Sequence, residues 1–66
     1  MTHLIYLVSE MDNCDLGSDE YNYFASLVNI QLDTMLPDSL PQKSQIVNDI
    51  LALGMIGISN WKSFLQ

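Results

Sequence analysis

The run His3-Leu4-Ile5-Tyr6-Leu7-Val8 decides the fold, because it is the one stretch of strand-like residue types in a chain that otherwise reads as helical. Its β-branched and aromatic content and its polar borders predict a short N-terminal strand, with a buried stretch of helix as the other reading. No second run of comparable β character follows. A strand here would have to pair with another copy or with a target, by β-augmentation.

Glu10 to Gly17 is dense in Asp and Asn, whose side chains bond to nearby backbone, and it closes on a glycine, so it reads as a turn. Ser18 then reads as an N-cap, with Asp19 and Glu20 in a first helical turn where the helix dipole favours negative charge. Tyr21, Phe24, Val28, Leu32 and Met35 or Leu36 recur at helical spacing opposite Asp19, Asn22, Ser26, Asn29 and Asp33, which makes the helix amphipathic. Tyr23, Leu27 and Ile30 widen its apolar stripe beyond what one light neighbouring helix covers. Pro37 stops the run.

Ser39 and Gln42 spell a capping box, and Pro41 suits a first helical turn, so a second helix starts there or at Ser44. Ile46, Val47, Ile50 and Leu51 form its apolar face, with Gln45, Asn48 and Asp49 outside. Gly54 either ends this helix, with Ser59 capping a short third one carrying Trp61, Phe64 and Leu65, or sits inside a longer helix whose Gly54 and Gly57 admit a close neighbour. The break is favoured, because each interior glycine costs ~1 kcal/mol relative to alanine.

At 66 residues the chain has room for a single domain, 1–66, and a chain 48% apolar with 15% charged residues is expected to fold. Eight carboxylates face two lysines and no arginine. Seven of the eight lie in residues 1–42 with no cation among them, whereas residues 43–66 hold Asp49, Lys43 and Lys62. Such a field repels nucleic acid and anionic membranes and attracts basic protein surfaces. Cys14 cannot form an internal disulfide, and a small secreted domain usually needs several, which points to a reducing, cytoplasmic setting. The apolar start lacks a basic region and a cleavage site, so the mature chain is expected to begin at Met1. Ile50 to Ile58 falls short of the ~20 residues that span a bilayer, so no membrane association is expected.

Catalysis needs a nucleophile with its base, a carboxylate pair in a pocket or a metal site, and the chain is poor in all three. His3 is the only histidine and has no Cys or His at ligand spacing. Cys14 stands among Asp12 and Asp15, whose field suppresses thiolate formation. The acidic residues from Asp12 to Glu20 lack the alternating ligands, central glycine and twelfth-position glutamate of a calcium-binding EF-hand loop. No enzyme activity, metal or cofactor is therefore expected. Tyr6, Tyr21, Tyr23, Phe24, Trp61 and Phe64 read as packing aromatics, and Met1, Met11, Met35 and Met55 as gap-filling side chains.

Asp15-Leu16-Gly17, the acidic helix after it and Leu36-Pro37-Asp38 resemble the second half of an acyl carrier protein, a small acidic four-helix domain. That resemblance implies a phosphopantetheine-bearing serine in an Asp-Ser-Leu at the start of this helix. Here the stretch reads Ser18-Asp19-Glu20-Tyr21, and Asp38-Ser39-Leu40 is followed at once by Pro41, so the carrier function is not carried over.

These readings give an α+β fold, mainly α: a short N-terminal strand followed by two or three helices in antiparallel packing, completed by self-association, with an all-α helical bundle as the alternative. The expected function is a small acidic protein-binding protein. Glu10, Asp12, Asp15, Asp19, Glu20, Asp33 and Asp38 would contact a basic surface on a larger protein. Carboxylates so spread imitate nucleic-acid phosphates, so inhibition of a nucleic-acid-handling protein, in the manner of anti-restriction and anti-CRISPR proteins, is the specific form of this expectation. A structural subunit or dimerisation adaptor that binds through apolar helix faces is the alternative.

Overall fold

Leu4, Leu7, Val8 and Met11 are all buried, and their spacing of three, four and seven residues is that of a helical stripe. In the computed structural model, which describes residues 2–65, this stripe belongs to helix α1 (Thr2–Asp12). The expected strand at His3–Val8 is therefore corrected, and with it the α+β class and the β-augmentation that a lone strand required. Among the described residues there are four helices and no strand, so the all-α alternative fits. A strand would have put Leu4, Tyr6 and Val8 on one face, yet Tyr6 points to solvent while Leu7 is buried.

Helix α2 (Asp19–Met35) begins as its sequence dictates: the Ser18 hydroxyl accepts the Tyr21 N–H at 3.1 Å, with Asp19 and Glu20 in the first turn. Val28, Leu32 and Leu36 are buried, while Tyr21, Phe24 and Met35 are half-buried along the same stripe. The short connection over residues 13–18 sets α1 and α2 as antiparallel neighbours. Helix α3 (Lys43–Leu53) starts after two successive turns, in which the Leu40 N–H bonds Pro37 O and the Lys43 N–H bonds Leu40 O. The expected capping box does not form, since Gln42 is the N-cap residue and its side chain makes no capping bond.

Gly54 breaks the helix at φ +62° and ψ −126°, a conformation open in practice only to glycine, and α4 (Met55–Asn60) follows at once. Ser59 lies inside α4 and is no cap, and a 3₁₀ turn (Lys62–Phe64) carries the chain to the buried Leu65. Gly57 has the role foreseen for a central glycine, close approach, but between α4 and α3. A Cβ there would stand 2.6 Å from Asp49 O and 2.7 Å from Ile50 Cα.

The four helices form a closed ring, α1 on α2, α2 on α3, α3 on α4 and α4 on α1. Ile46, Ile50, Ile58 and Leu65 complete the core from α3, α4 and the chain end. Met11 fills the core and Met35 packs against it, whereas Met55 is exposed; Met1 lies outside the described residues.

Candidate functional site

The seven acidic residues fall into three groups with different duties. Asp12, at the end of α1, reaches across to the helix break, where its Oδ2 accepts the Met55 N–H at 3.1 Å. In an unbroken helix that N–H would serve Leu51 O. The carbonyl so released accepts a hydrogen bond from Tyr21 Oη at 3.2 Å. One severed helical bond is thus replaced by two side-chain bonds, from α1 and from α2, and Asp12 is a structural cap.

Asp33 and Asp38 stand together at the far end of α2, about 21 Å along the axis from Asp19 at 1.5 Å per residue. Both pair with Lys43, whose ammonium lies 2.8 Å from Asp33 Oδ1 and also bonds Asp38 Oδ1. The Lys43 side chain is only 15% exposed, so one cation ties the end of α2, the connection and the start of α3 together. The hydrogen bonds to Asp33 and Asp38 hold the Lys43 ammonium above its ordinary range, and the bond from Lys43 holds the Asp38 carboxyl below its own. One cation thus offsets half of the charge of these two exposed carboxylates.

Glu10, Asp15, Asp19 and Glu20 remain, around the α1–α2 junction. Cys14 lies among them, half-buried, its thiol donating to Glu10 O at 3.2 Å. Burial raises its pKa, and the negative charges of Glu20, Glu10 and Asp15 raise it further. Asp12, expected to act on this thiol, is turned instead toward the break. At the tip of the same junction Leu16 is 86% exposed between Asp15 and Gly17. The exposure of Leu16 was not legible in the sequence, because a lone apolar residue in a turn carries no periodic signal. The cap by Asp12 was illegible too, since the residues it joins are 43 positions apart.

Asp49 is also committed inward, accepting from Gln45 Nε2 at 2.9 Å and from Trp61 Nε1 at 2.7 Å. Ser18 is engaged as the α2 cap, and Ser39 is exposed in the turn before α3. His3 is exposed beside Tyr6, with ring centres 6.5 Å apart. Among the described residues no three His, Cys, Asp or Glu side chains converge as a metal ion requires, and no helix is long and apolar enough to cross a membrane.

Comparison with protein-family models, with curated proteins and with solved structures gives no match for the chain.

Proposed function

We propose that the protein is a small protein-binding module that docks its acidic α1–α2 junction onto a basic surface of a larger protein. The observation that carries this reading is the division of the charges. Lys43 is engaged by Asp33 and Asp38 at the far end of α2, so Glu10, Asp15, Asp19 and Glu20 keep their negative field at the junction. A field concentrated at one end orients an approaching basic partner and speeds its encounter. Proteins that bind nucleic acid carry basic surfaces of this kind, and occupying one would block it. The docking set is centred on these four because Asp12 already bonds Met55 and because Asp33 and Asp38 share Lys43.

The test is capture of partners from cell lysate by the tagged protein at low and at moderate salt, beside a variant carrying Glu10→Gln, Asp15→Asn, Asp19→Asn and Glu20→Gln. A partner held at low salt, released at moderate salt and missed by the variant supports the reading. A partner held equally by both proteins at both salts sinks it.

A second reading, an adaptor or dimerisation module binding through apolar helix faces, is favoured by Tyr23 and Ile30. They lie seven residues apart on one side of α2 and are 62% and 64% exposed. Contacts through that face hold or tighten as salt rises, so the same capture separates the two readings.

A further inference from the structure

Four helices meet at the end of the bundle where α3 breaks. Asp12, closing α1, bonds Met55 at the start of α4; Ser9 Oγ also reaches Met55 Sδ at 3.8 Å; Tyr21, in the first turn of α2, reaches Leu51 near the end of α3. The acidic α1–α2 junction and the Gly54 corner are therefore one surface. At that corner Leu53, Met55 and Ile56 are turned outward, with Leu53 and Ile56 47% and 64% exposed. Large aliphatic side chains exposed within four residues of one another at a helix break offer an uncovered contact area.

Resting on the proposed binding of a basic partner, the geometry points to a composite docking surface: the Leu53–Met55–Ile56 corner is its apolar centre, the junction carboxylates are its acidic rim, and its occupant is an amphipathic basic helix of another protein. Charge selects this occupant. A second copy docked through the same patch would press carboxylates against carboxylates, because a two-fold contact sets a surface against itself. Nucleic acid meets the same repulsion. A helix with apolar residues three and four apart, flanked by Lys or Arg, sets its apolar stripe on the corner and its cations on the rim.

The full chain, isotopically labelled for amide NMR, is titrated with two synthetic peptides of equal positive charge. One is a Leu/Lys peptide with leucine at helical spacing, and the other is oligo-lysine. The Leu/Lys peptide is expected to bind about tenfold more tightly, equivalent to ~1.4 kcal/mol. Its shifts should fall on residues 53–56 and on the junction. The Leu53→Ser, Ile56→Ser double variant, altered only at exposed positions and showing unchanged circular dichroism, should bind both peptides at the oligo-lysine level. Equal affinity for the two peptides, with the double variant unaffected, overturns the apolar centre and leaves the basic-partner reading standing. No binding of either peptide at low salt overturns both. Shifts on the Tyr23 and Ile30 face, or corner shifts that grow with protein concentration before any peptide is added, also overturn the inference, the last by making a second copy the occupant.

Discussion

Asp12 Oδ2 accepts the Met55 N–H at 3.1 Å, and the Asp12 carboxylate occupies the space where any Cβ on residue 54 would stand. The cap and the glycine are thus one device: glycine at 54 takes the backbone angles that break the helix, and its missing side chain admits the carboxylate. Asp12→Ala should lower unfolding stability by ~1 kcal/mol, as loss of a helix cap does, and Asp12→Asn by less because an amide oxygen still accepts. Gly54→Ala should cost ~2 kcal/mol or more, from backbone strain and the clash together. In an Asp12→Ala background the clash is relieved and the strain stays, so urea titrations of the four proteins should show a smaller Gly54→Ala penalty there. Additive penalties would mean that the two residues do not meet.

The N-terminal helix is tested by two neighbouring substitutions. Leu7 is buried and Tyr6 is 55% exposed, the reverse of what a strand with Leu4 facing inward would give. Leu7→Ala should cost ~2–4 kcal/mol and Tyr6→Ala no more than ~0.5 kcal/mol. Small domains hold only a modest total stability, so Leu7→Ala should leave a substantial unfolded population, visible as lost ellipticity at 222 nm. A larger loss from Tyr6→Ala would restore the strand's alternation.

The contrast between these two residues shows what the sequence could convey. α2 was legible from Ser18 to Pro37 because its cap, its charged first turn and its stripe all agree. The start of the chain misled because Ile5, Tyr6 and Val8 favour strands by type, while the helical signal emerges only when the window extends to Met11. The break at Gly54 was legible as the favoured of two readings, a break or one longer helix, since the cost of interior glycine weighs against the longer helix. What replaced the broken bond was not, because Asp12 and Tyr21 are remote from residues 51–55 in sequence. The acidic set was visible as composition, but its division into a cap, a pair sharing one lysine and an open cluster depends on where Lys43 and Met55 stand in space.

The pair of carboxylates that shares Lys43 makes a pH prediction. Asp38 is held below its ordinary value, so its contribution to stability is present above the unfolded carboxyl pKa of ~3.9 and is lost as pH falls through the lower folded value. Lys43 is held above its ordinary value, so its contribution is full below the unfolded ~10.4 and is lost as pH rises through the higher folded value. Between those limits Lys43→Met should lower the urea midpoint relative to the native protein. The gap should narrow at both pH extremes and in high salt, since the Asp33 and Asp38 carboxylates are open to solvent. A gap independent of pH and salt would assign the effect of Lys43 to the packing of its aliphatic stem.

Cys14 reports on the open cluster directly. Its thiol is held above its ordinary pKa by burial first and then by Glu20, Glu10 and Asp15, so less thiolate is present at a given pH than in a free thiol. Alkylation by iodoacetamide at mildly alkaline pH should therefore be slower than that of a small-molecule thiol. Glu20→Gln should accelerate it most, Glu10→Gln less and Asp15→Asn least, following the order of their influence. Added salt should reproduce part of the acceleration, while the portion due to burial should resist both salt and substitution. Asp12→Asn should leave the rate near that of the native protein, because its carboxylate faces Met55. If all four variants react at the native rate, the carboxylates do not converge on the junction, and the acidic rim of the docking surface loses its geometric basis. If Asp12→Asn alone accelerates the reaction, the carboxylate is turned toward the turn and the cap on α4 is not formed.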